Sequence, residues 1–280
     1  TRTRRGCSRS WPGEEPWSFP ASLLVAGSLW SWMSYGVTRA GWRSSFRTSS
    51  ELRGATGVGE AASPEVLEHF EGIFPASILQ IWRTVGFDGI ANGRHWITNP
   101  LEWAPAVESW LEGLDLPFPD QRWCITSTPM GSMRLWGEIS GPALKIISVF
   151  GFLYPDFASH RDMLDPVMRE RSGCVDLLSV TKDSARDDVS RRRLADEGFK
   201  KFGSLGPGEV FALVPAYCLA GRLDASLLAK EPAVAHVAFL GQSTEPEMMP
   251  DLMASIGDAL VEQIVTQDNE GTQPSSGSGQ

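Results

Sequence analysis

Three short hydrophobic runs between residues 122 and 150, separated by turn residues, constrain the fold more than any other feature of the sequence. The runs read RWCITST, MRLWGEI and ALKIISVF. Short apolar runs rich in β-branched and aromatic residues are typical of strands, and Gly137, Gly141 and Pro142 provide the turn between the last two. Because strands joined by short turns pair antiparallel, these runs predict the centre of an antiparallel sheet.

Helix signals precede these strands. Ser63 followed by Pro64 is a typical helix start, and a second helix is predicted to begin at Pro75 and end at Gly86. The run GRHWIT has the character of a short strand. The run NPLEWAPAVESWLEG offers two helix starts, and because Pro105 would interrupt a helix already under way, we expect a short turn followed by a main helix.

Helix and strand signals also alternate after residue 160. Helices are predicted over residues 164–180 and 189–203, a turn and a strand over 204–221, and a mixture of helix and strand over 224–242. A further helix is predicted to begin at Pro250 and Asp251. Together these elements predict an α+β fold, with N-terminal helices packed on an antiparallel sheet and a smaller α/β C-terminal subdomain after it.

The composition changes along the chain and predicts five segments. All eleven tryptophans lie at or before Trp136, and the run YPDFASHRDMLDP, with two prolines and several polar residues, marks a boundary. We therefore expect an atypical extension over residues 1–45, a first domain over 46–158 and a second over 159–248. A terminal helix over 249–266 and a polar flexible tail over 267–280 complete the division.

The first 45 residues allow three interpretations. Basic residues followed by an uncharged run from Pro16 to Thr38 have some features of an export signal or anchor. Pro20, several serines and two glycines interrupt that run, which weakens this interpretation. A reading frame extended upstream of Met33 is the preferred explanation, and a disordered tail is the second.

Charge restricts the class of partner. The whole chain has a net charge of −9, and its first 60 residues hold eight arginines and four glutamates, so the remaining residues have a net charge of −13. A body this acidic repels phosphate, which argues against direct binding of nucleic acid. It suits a basic protein partner, although an acidic surface also simply keeps a protein soluble. We expect no membrane association of the folded body and a cytoplasmic location.

Candidate catalytic and metal-binding residues are scattered. The four cysteines and four histidines show neither a disulfide framework nor zinc spacing, so no metal and no cofactor are predicted. Glu138 has no second carboxylate at a fixed spacing, and His95 beside Trp96 fits packing better than base catalysis. The sequence therefore predicts a protein without enzymatic activity, with no catalytic residues.

Three separated motifs resemble one family. The run FDGIANGRHWITNPLEWAPAVESWLEG and the run MRLWGEISGPALKI are similar to the conserved features of the GAD-like domain. The run FKKFGSLGPGEVFALVPAYCLAG resembles the opening of the small C-terminal domain that accompanies it, with Ser204 where proline is usual. The resemblance implies a bacterial immunity protein of the type VI secretion system, which binds and neutralises a nuclease toxin (a DNase) in the cytoplasm.

Two other functions remain open at this stage. The tryptophans at positions 96, 103, 110 and 136 could stack bases in a nucleotide- or tRNA-associated module or enzyme, although their spacing also fits core packing. A structural scaffold without a toxin partner is the third possibility. For the immunity hypothesis, Asp115, Asp120 and Glu138 are the candidate contacts with a basic toxin surface.

Overall fold

The structure is a computed structural model that describes residues 54–116, 120–156, 160 and 163–250. The predicted extension over residues 1–45, the terminal helix beginning at Pro250 and Asp251, and the polar tail lie outside the described residues. In the described part, the helices are α1 (Pro64–His69), α2 (Ala76–Val85), α3 (Pro100–Leu111), α4 (Pro166–Leu178), α5 (Leu194–Phe202), α6 (Tyr217–Ala220) and α7 (Ala233–Ser243).

The strands form one large sheet and one small one. The large sheet contains, in spatial order, β1 (Gly89–Ile90), β2 (His95–Ile97), β3 (Arg122–Ser127), β4 (Met133–Gly137), β5 (Gly141–Ile147), β6 (Phe152–Pro155) and β9 (Glu247–Met248). Its neighbours pair antiparallel except β6 and β9, which are parallel. The small sheet pairs β7 (Glu209–Leu213) with β8 (Leu228–Pro232). The α+β prediction with a mainly antiparallel sheet is confirmed.

Helices cover both faces of the large sheet. One face contains the side chains of Leu135 in β4 and Leu144 in β5. Helices α3 and α7 cover this face with Trp103, Val107, Trp110, Val237 and Leu240. The opposite face, which contains Ile125 and Trp136, is covered by aromatic and aliphatic residues of α1, α2 and α4 and the segments that join them: Phe70, Phe74, Ile78, Trp82 and Leu177. The sheet is therefore buried on both sides.

Local chemistry determines several of the predicted boundaries. The Ser63 hydroxyl accepts a hydrogen bond from the Val66 N–H at 3.3 Å, which caps α1 as predicted. Helix α2 ends at Gly86, whose φ of 73° is unfavourable for other residues. A Cβ there would also lie 2.2 Å from the carbonyl oxygen of Glu60, so both the backbone angle and the space select glycine.

The expected break at Pro105 is wrong. Helix α3 runs through this residue without interruption, and Pro105 is exposed. The helix begins earlier because the Asn99 side chain accepts a hydrogen bond from the Leu101 N–H at 3.2 Å and Pro100 occupies the first position. Burial of Trp103 and Trp110 offsets the backbone hydrogen bond that proline cannot make.

Two other local predictions are corrected. Helix α5 begins at Leu194 rather than near Val189, because the Asp187 carboxylate accepts hydrogen bonds from the N–H groups of Val189 and Ser190 and holds a turn. The sequence did not predict strand β6, which pairs with β5 at the start of the proline-containing run. Its pairing partner, rather than its own composition, determines its conformation.

Candidate functional site

A row of polar side chains crosses the centre of the otherwise apolar sheet. Thr126 of β3 lies opposite Arg134 of β4, Arg134 opposite Lys145 of β5, and Lys145 opposite Tyr154 of β6. Directly paired residues in antiparallel strands point to the same face, so these four side chains, here called the polar row, share one side of the sheet. Two of them are cations on adjacent strands.

Helix α4 and the segment after it bring carboxylates to the polar row. Asp176 of α4 forms an ion pair with the Arg134 guanidinium. Asp183 accepts hydrogen bonds from the hydroxyls of Thr128 and Ser132, the latter at 3.5 Å. Both aspartates are buried. The row is thus a partly buried charged layer, with acids on the helix side and bases on the sheet.

Burial changes the ionisation of this layer. Desolvation raises the pKa of Asp176 to about 6, although the nearby Arg134 opposes that shift. Desolvation also raises the pKa of Asp183 to about 6, against the hydrogen bonds from Thr128, Met130 and Ser132 and the charge of Lys145. The pKa of Lys145 is lowered by burial and then by Arg134, while Asp183 acts in the opposite direction. Such perturbed groups mark a candidate functional site.

A cavity of about 160 Å³ opens at one end of the polar row. Arg134, Lys145, Tyr154 and Asp156 line it, together with Pro142, Leu144 and Pro155. Leu144 and its paired residue Pro155 direct their side chains to the α3 face of the sheet, away from Lys145. The cavity is large enough to hold water molecules or a small ion.

The structure places the predicted contacts Asp120 and Glu138 at one corner of the sheet. The Asp120 carboxylate accepts hydrogen bonds from the N–H groups of Ile139 and Ser140, at 3.0 and 2.7 Å. The Glu138 Oε1 accepts one from the Trp123 indole N–H at 3.3 Å. Asp120 therefore holds the β4–β5 turn, and both residues remain predictions as partner contacts.

The third predicted contact, Asp115, follows the C-terminal end of α3. It is exposed, as are Glu108 and Glu112. We call these three residues the acidic end of α3. No lysine or arginine occurs between residues 96 and 121, so nothing basic lies near them along the chain. The sequence analysis selected Asp115 as a candidate contact but did not select the two glutamates. Their spacing of four residues along a predicted helix could have shown that they share one face.

The tryptophans proposed for base stacking are all buried. Trp96, Trp103, Trp110 and Trp136 are between 0% and 6% exposed. The Trp110 indole N–H donates to the Val237 carbonyl at 3.0 Å, and the Arg169 guanidinium lies 5.6 Å from the Trp136 ring centroid. None presents a ring face to solvent on which a base could stack, so the packing interpretation holds.

Other candidates are placed as structural residues. His95, predicted to pack rather than to act as a base, lies buried in β2 with its Nε2 3.1 Å from the Leu177 carbonyl oxygen. In the ranges that the structure describes, no three His, Cys, Asp or Glu side chains form a group able to hold a metal ion. No described helix is long and apolar enough to cross a membrane.

The polar row was not predicted from the sequence. The one local signal is Lys145, which stands between Leu144 and Ile146 in a strand where a cation is out of place. Its neighbours in the row lie on other strands, so only the pairing of those strands brings them together. Asp176 and Asp183 come from still more distant parts of the chain.

Comparison with known proteins identifies part of this architecture. The chain is similar in fold to the crystal structure of Atu4351 from Agrobacterium tumefaciens, with a TM-score of 0.61 at 14% sequence identity, covering 68% of this chain and 85% of that one. No curated protein matches the chain. The GAD-like domain family matches residues 48–150, a range that includes α1 to β5 and both cations of the polar row. Residues 48–150 of this chain are a GAD-like domain.

Proposed function

We propose that this protein is a type VI secretion immunity protein, which binds a nuclease toxin in the cytoplasm and neutralises it by occupying its surface without turnover. The partner is a cognate DNase with a basic surface for its substrate, and the protein itself binds no nucleic acid. The GAD-like domain and the motif resemblance support this assignment. The observation on which the proposal rests is the acidic end of α3.

The acidic end of α3 places like charges close together at the helix end that disfavours them. Glu108 and Glu112 are four residues apart on α3, where like charges repel by a few tenths of a kcal/mol. They also lie at the C-terminal end of the helix, where the macrodipole favours cations. Glu102 differs, because it is in the first turn and accepts a hydrogen bond from Asn99 at 2.8 Å. A basic partner would offset the repulsion at Glu108 and Glu112.

The overall charge supports the same partner. The chain has a net charge of −9, and the positive charges of its first 60 residues leave a still more acidic remainder. A nuclease presents basic side chains to phosphate, so opposite charges steer the encounter and speed association. An inhibitor of this type gains affinity without a pocket or a catalytic group.

The test is binding of the full chain to the nuclease encoded beside its gene. We expect a stoichiometric complex with a Kd of about 1 nM or below, weakened by salt, and loss of nuclease activity at equimolar inhibitor. Co-expression with the toxin should keep cells alive. If no complex forms and the cells die as fast as without this protein, the immunity function is wrong.

A matched pair of variants tests the surface. Glu108→Gln with Glu112→Gln should weaken binding by at least about tenfold at low salt, mainly through slower association. Glu68→Gln with Glu71→Gln makes the same charge change at exposed positions near α1, on the opposite face of the sheet, and should change affinity by less than about threefold. Equal effects of the two pairs would show that only net charge matters and that the acidic end of α3 is not the interface.

A further inference from the structure

We propose that residues 251–266 form an amphipathic helix that packs on the solvent-facing side of α4. This segment follows Pro250, the last residue that the structure describes. The surface that it covers, here called the α4 stripe, consists of Leu164, Val167, Arg171 and Val175. The proposal is independent of toxin binding, because α3 and α4 cover opposite faces of the large sheet.

The first argument is the composition of the α4 stripe. Val167, Arg171 and Val175 follow one another at intervals of four residues, so they lie on one side of the helix, and Leu164 precedes them by about one turn. The side chains of Leu164, Val167 and Val175 are 77%, 74% and 49% exposed. The solvent side of a surface helix is normally polar. Three exposed aliphatic side chains in line therefore indicate a surface that another element covers.

The other charged side chains of α4 make contacts elsewhere. Glu170 accepts hydrogen bonds from two N–H groups at the start of α2, at 2.9 and 2.7 Å, and Arg169 donates to a backbone carbonyl just before α2, at 2.7 Å. Asp176 pairs with Arg134. Arg171 is the charged residue of the stripe, and its aliphatic stem can lie against apolar groups while the guanidinium stays in water.

The second argument is the place where the described chain ends. Strand β9 lies at the edge of the large sheet beside β6, and the Met249 N–H donates to the Leu153 carbonyl at 2.8 Å. Pro250 is therefore close to the end of β6. Tyr154 of β6 is on the same side of the sheet as α4 and is 40% exposed. The segment after Pro250 thus begins at the edge of the sheet face that α4 covers.

The distance from this edge to α4 is short. Asp156, which follows β6, interacts electrostatically with Asp176 of α4, so the two elements are close together. A helix over residues 251–266 would be about 24 Å long, and α4, with 13 residues, is about 20 Å long. The segment is therefore long enough to extend along the whole of α4.

The third argument is the pattern of the segment itself. Its large apolar residues recur at intervals of three or four, which places most of them on one side of a helix: Met253, Ile256, Leu260 and Ile264. Its acidic residues fall on the opposite side: Asp251, Asp258 and Glu262. An isolated helix of this length is marginal in water, so it needs an apolar surface to pack against. The α4 stripe supplies that surface.

Amide hydrogen exchange of the full chain, followed by mass spectrometry, tests the proposal. We expect the amides of residues 252–264 to exchange at least about tenfold more slowly than those of a free peptide of the same sequence. The free peptide accounts for any protection that the segment has on its own. Exchange of the segment at the rate of the free peptide would overturn the proposal.

A matched pair of double variants locates the contact. Val167→Asp with Val175→Lys places two charges in the α4 stripe without changing the net charge, and each charge suits its end of the helix macrodipole. This variant should lose the protection of residues 252–264. Val58→Lys with Val189→Asp makes the same change at positions that are 57% and 92% exposed, and it should keep the protection. Protection that survives in the first pair, or is lost equally in both, refutes the contact.

The segment offers a second test if the α4 variant fails to fold, as judged by circular dichroism. Leu260→Asp changes the apolar side of the predicted helix, whereas Ser255→Asp makes a similar change on the opposite side. Only Leu260→Asp should remove the protection. Equal exchange in these two variants would mean that the apolar side of the segment makes no contact.

Sedimentation of the full chain distinguishes this occupant from a second copy of the protein. We expect the chain to remain a monomer, with the α4 stripe covered from within. A dimer that dissociates in the Val167→Asp, Val175→Lys variant, with residues 252–264 exchanging like the free peptide, would assign the stripe to a second copy and overturn the proposal.

Discussion

Asp120 and Ser140 are joined by two hydrogen bonds across the corner of the sheet. The Asp120 Oδ2 accepts from the Ser140 backbone N–H at 2.7 Å and from its hydroxyl at 2.6 Å. Its Oδ1 accepts from the Ile139 N–H at 3.0 Å. The carboxylate thus satisfies three donors of the β4–β5 turn, which would otherwise lose their partners in a partly buried place.

We therefore expect Asp120→Ala to lower the free energy of unfolding by about 1–3 kcal/mol, because three donors lose their acceptor. Glu138→Gln serves as the comparison at the same corner, since the amide oxygen can still accept from Trp123, and it should change stability by less than about 0.5 kcal/mol. Chemical denaturation measures both values. Equal losses would show that the turn does not depend on Asp120.

The sequence predicted the elements whose ends have local causes. The hydroxyl of Ser63 and the glycines at positions 86 and 203 determine helix boundaries within a few residues, and each was identified correctly. The helix break expected at Pro105 does not occur, because burial of the Trp103 and Trp110 indoles offsets the hydrogen bond that proline cannot make. The intrinsic helix propensity of a residue predicts its conformation only weakly when tertiary packing acts against it.

The polar row shows why the site was harder to predict. Arg134, Lys145 and Tyr154 are neighbours only because of strand register, and a shift of one residue would send a strand's side chains to the other face. The candidate contact Asp120 was recognised by its charge, but its hydrogen bonds to the turn depend on a residue twenty positions away. The sequence shows which residues are charged, but it does not show which groups already donate hydrogen bonds to them in the fold.

The buried Asp183 predicts a pH dependence of stability. Its carboxyl group ionises above a pKa of about 3.8 in the unfolded chain and above about 6 in the folded protein, so folding becomes less favourable as the pH rises between these values. Asp183→Asn removes this effect. The variant should therefore gain stability relative to the original protein, on the order of 1–3 kcal/mol, between pH 4 and pH 7.5.

Denaturation of both proteins across this pH range measures the difference. Asp176, whose pKa is also raised to about 6, is present in both proteins and cancels in the comparison. A stability difference that stays constant with pH would mean that Asp183 has the same pKa in the folded and unfolded chain.

The contact between α3 and α7 depends on Gly241. A Cβ at this position would lie 2.5 Å from the Ser109 Oγ and 3.0 Å from the Ser109 carbonyl, so alanine forces the two helices apart. We expect Gly241→Ala to lower the unfolding free energy by about 1–2 kcal/mol, because the clash exceeds the gain in helix propensity. Gly206→Ala is the control, since its Cβ would meet nothing closer than 3.4 Å and should cost less than about 1 kcal/mol. Thermal unfolding of the two variants distinguishes a packing requirement from a general effect of adding a methyl group.

The acidic end of α3 predicts opposite effects on stability and on binding. Glu108→Gln removes the like-charge repulsion with Glu112 and an unfavourable interaction with the helix macrodipole, so the unfolding free energy should rise by about 0.3–1 kcal/mol at low salt. The same variant should bind the proposed toxin more weakly. Glu102→Gln provides the contrast, because its carboxylate is in the first turn and accepts from Asn99, so its loss should lower stability slightly. A Glu108→Gln variant that loses stability would mean that this glutamate contributes to folding, and the case for an interface retained at the expense of the fold would fail.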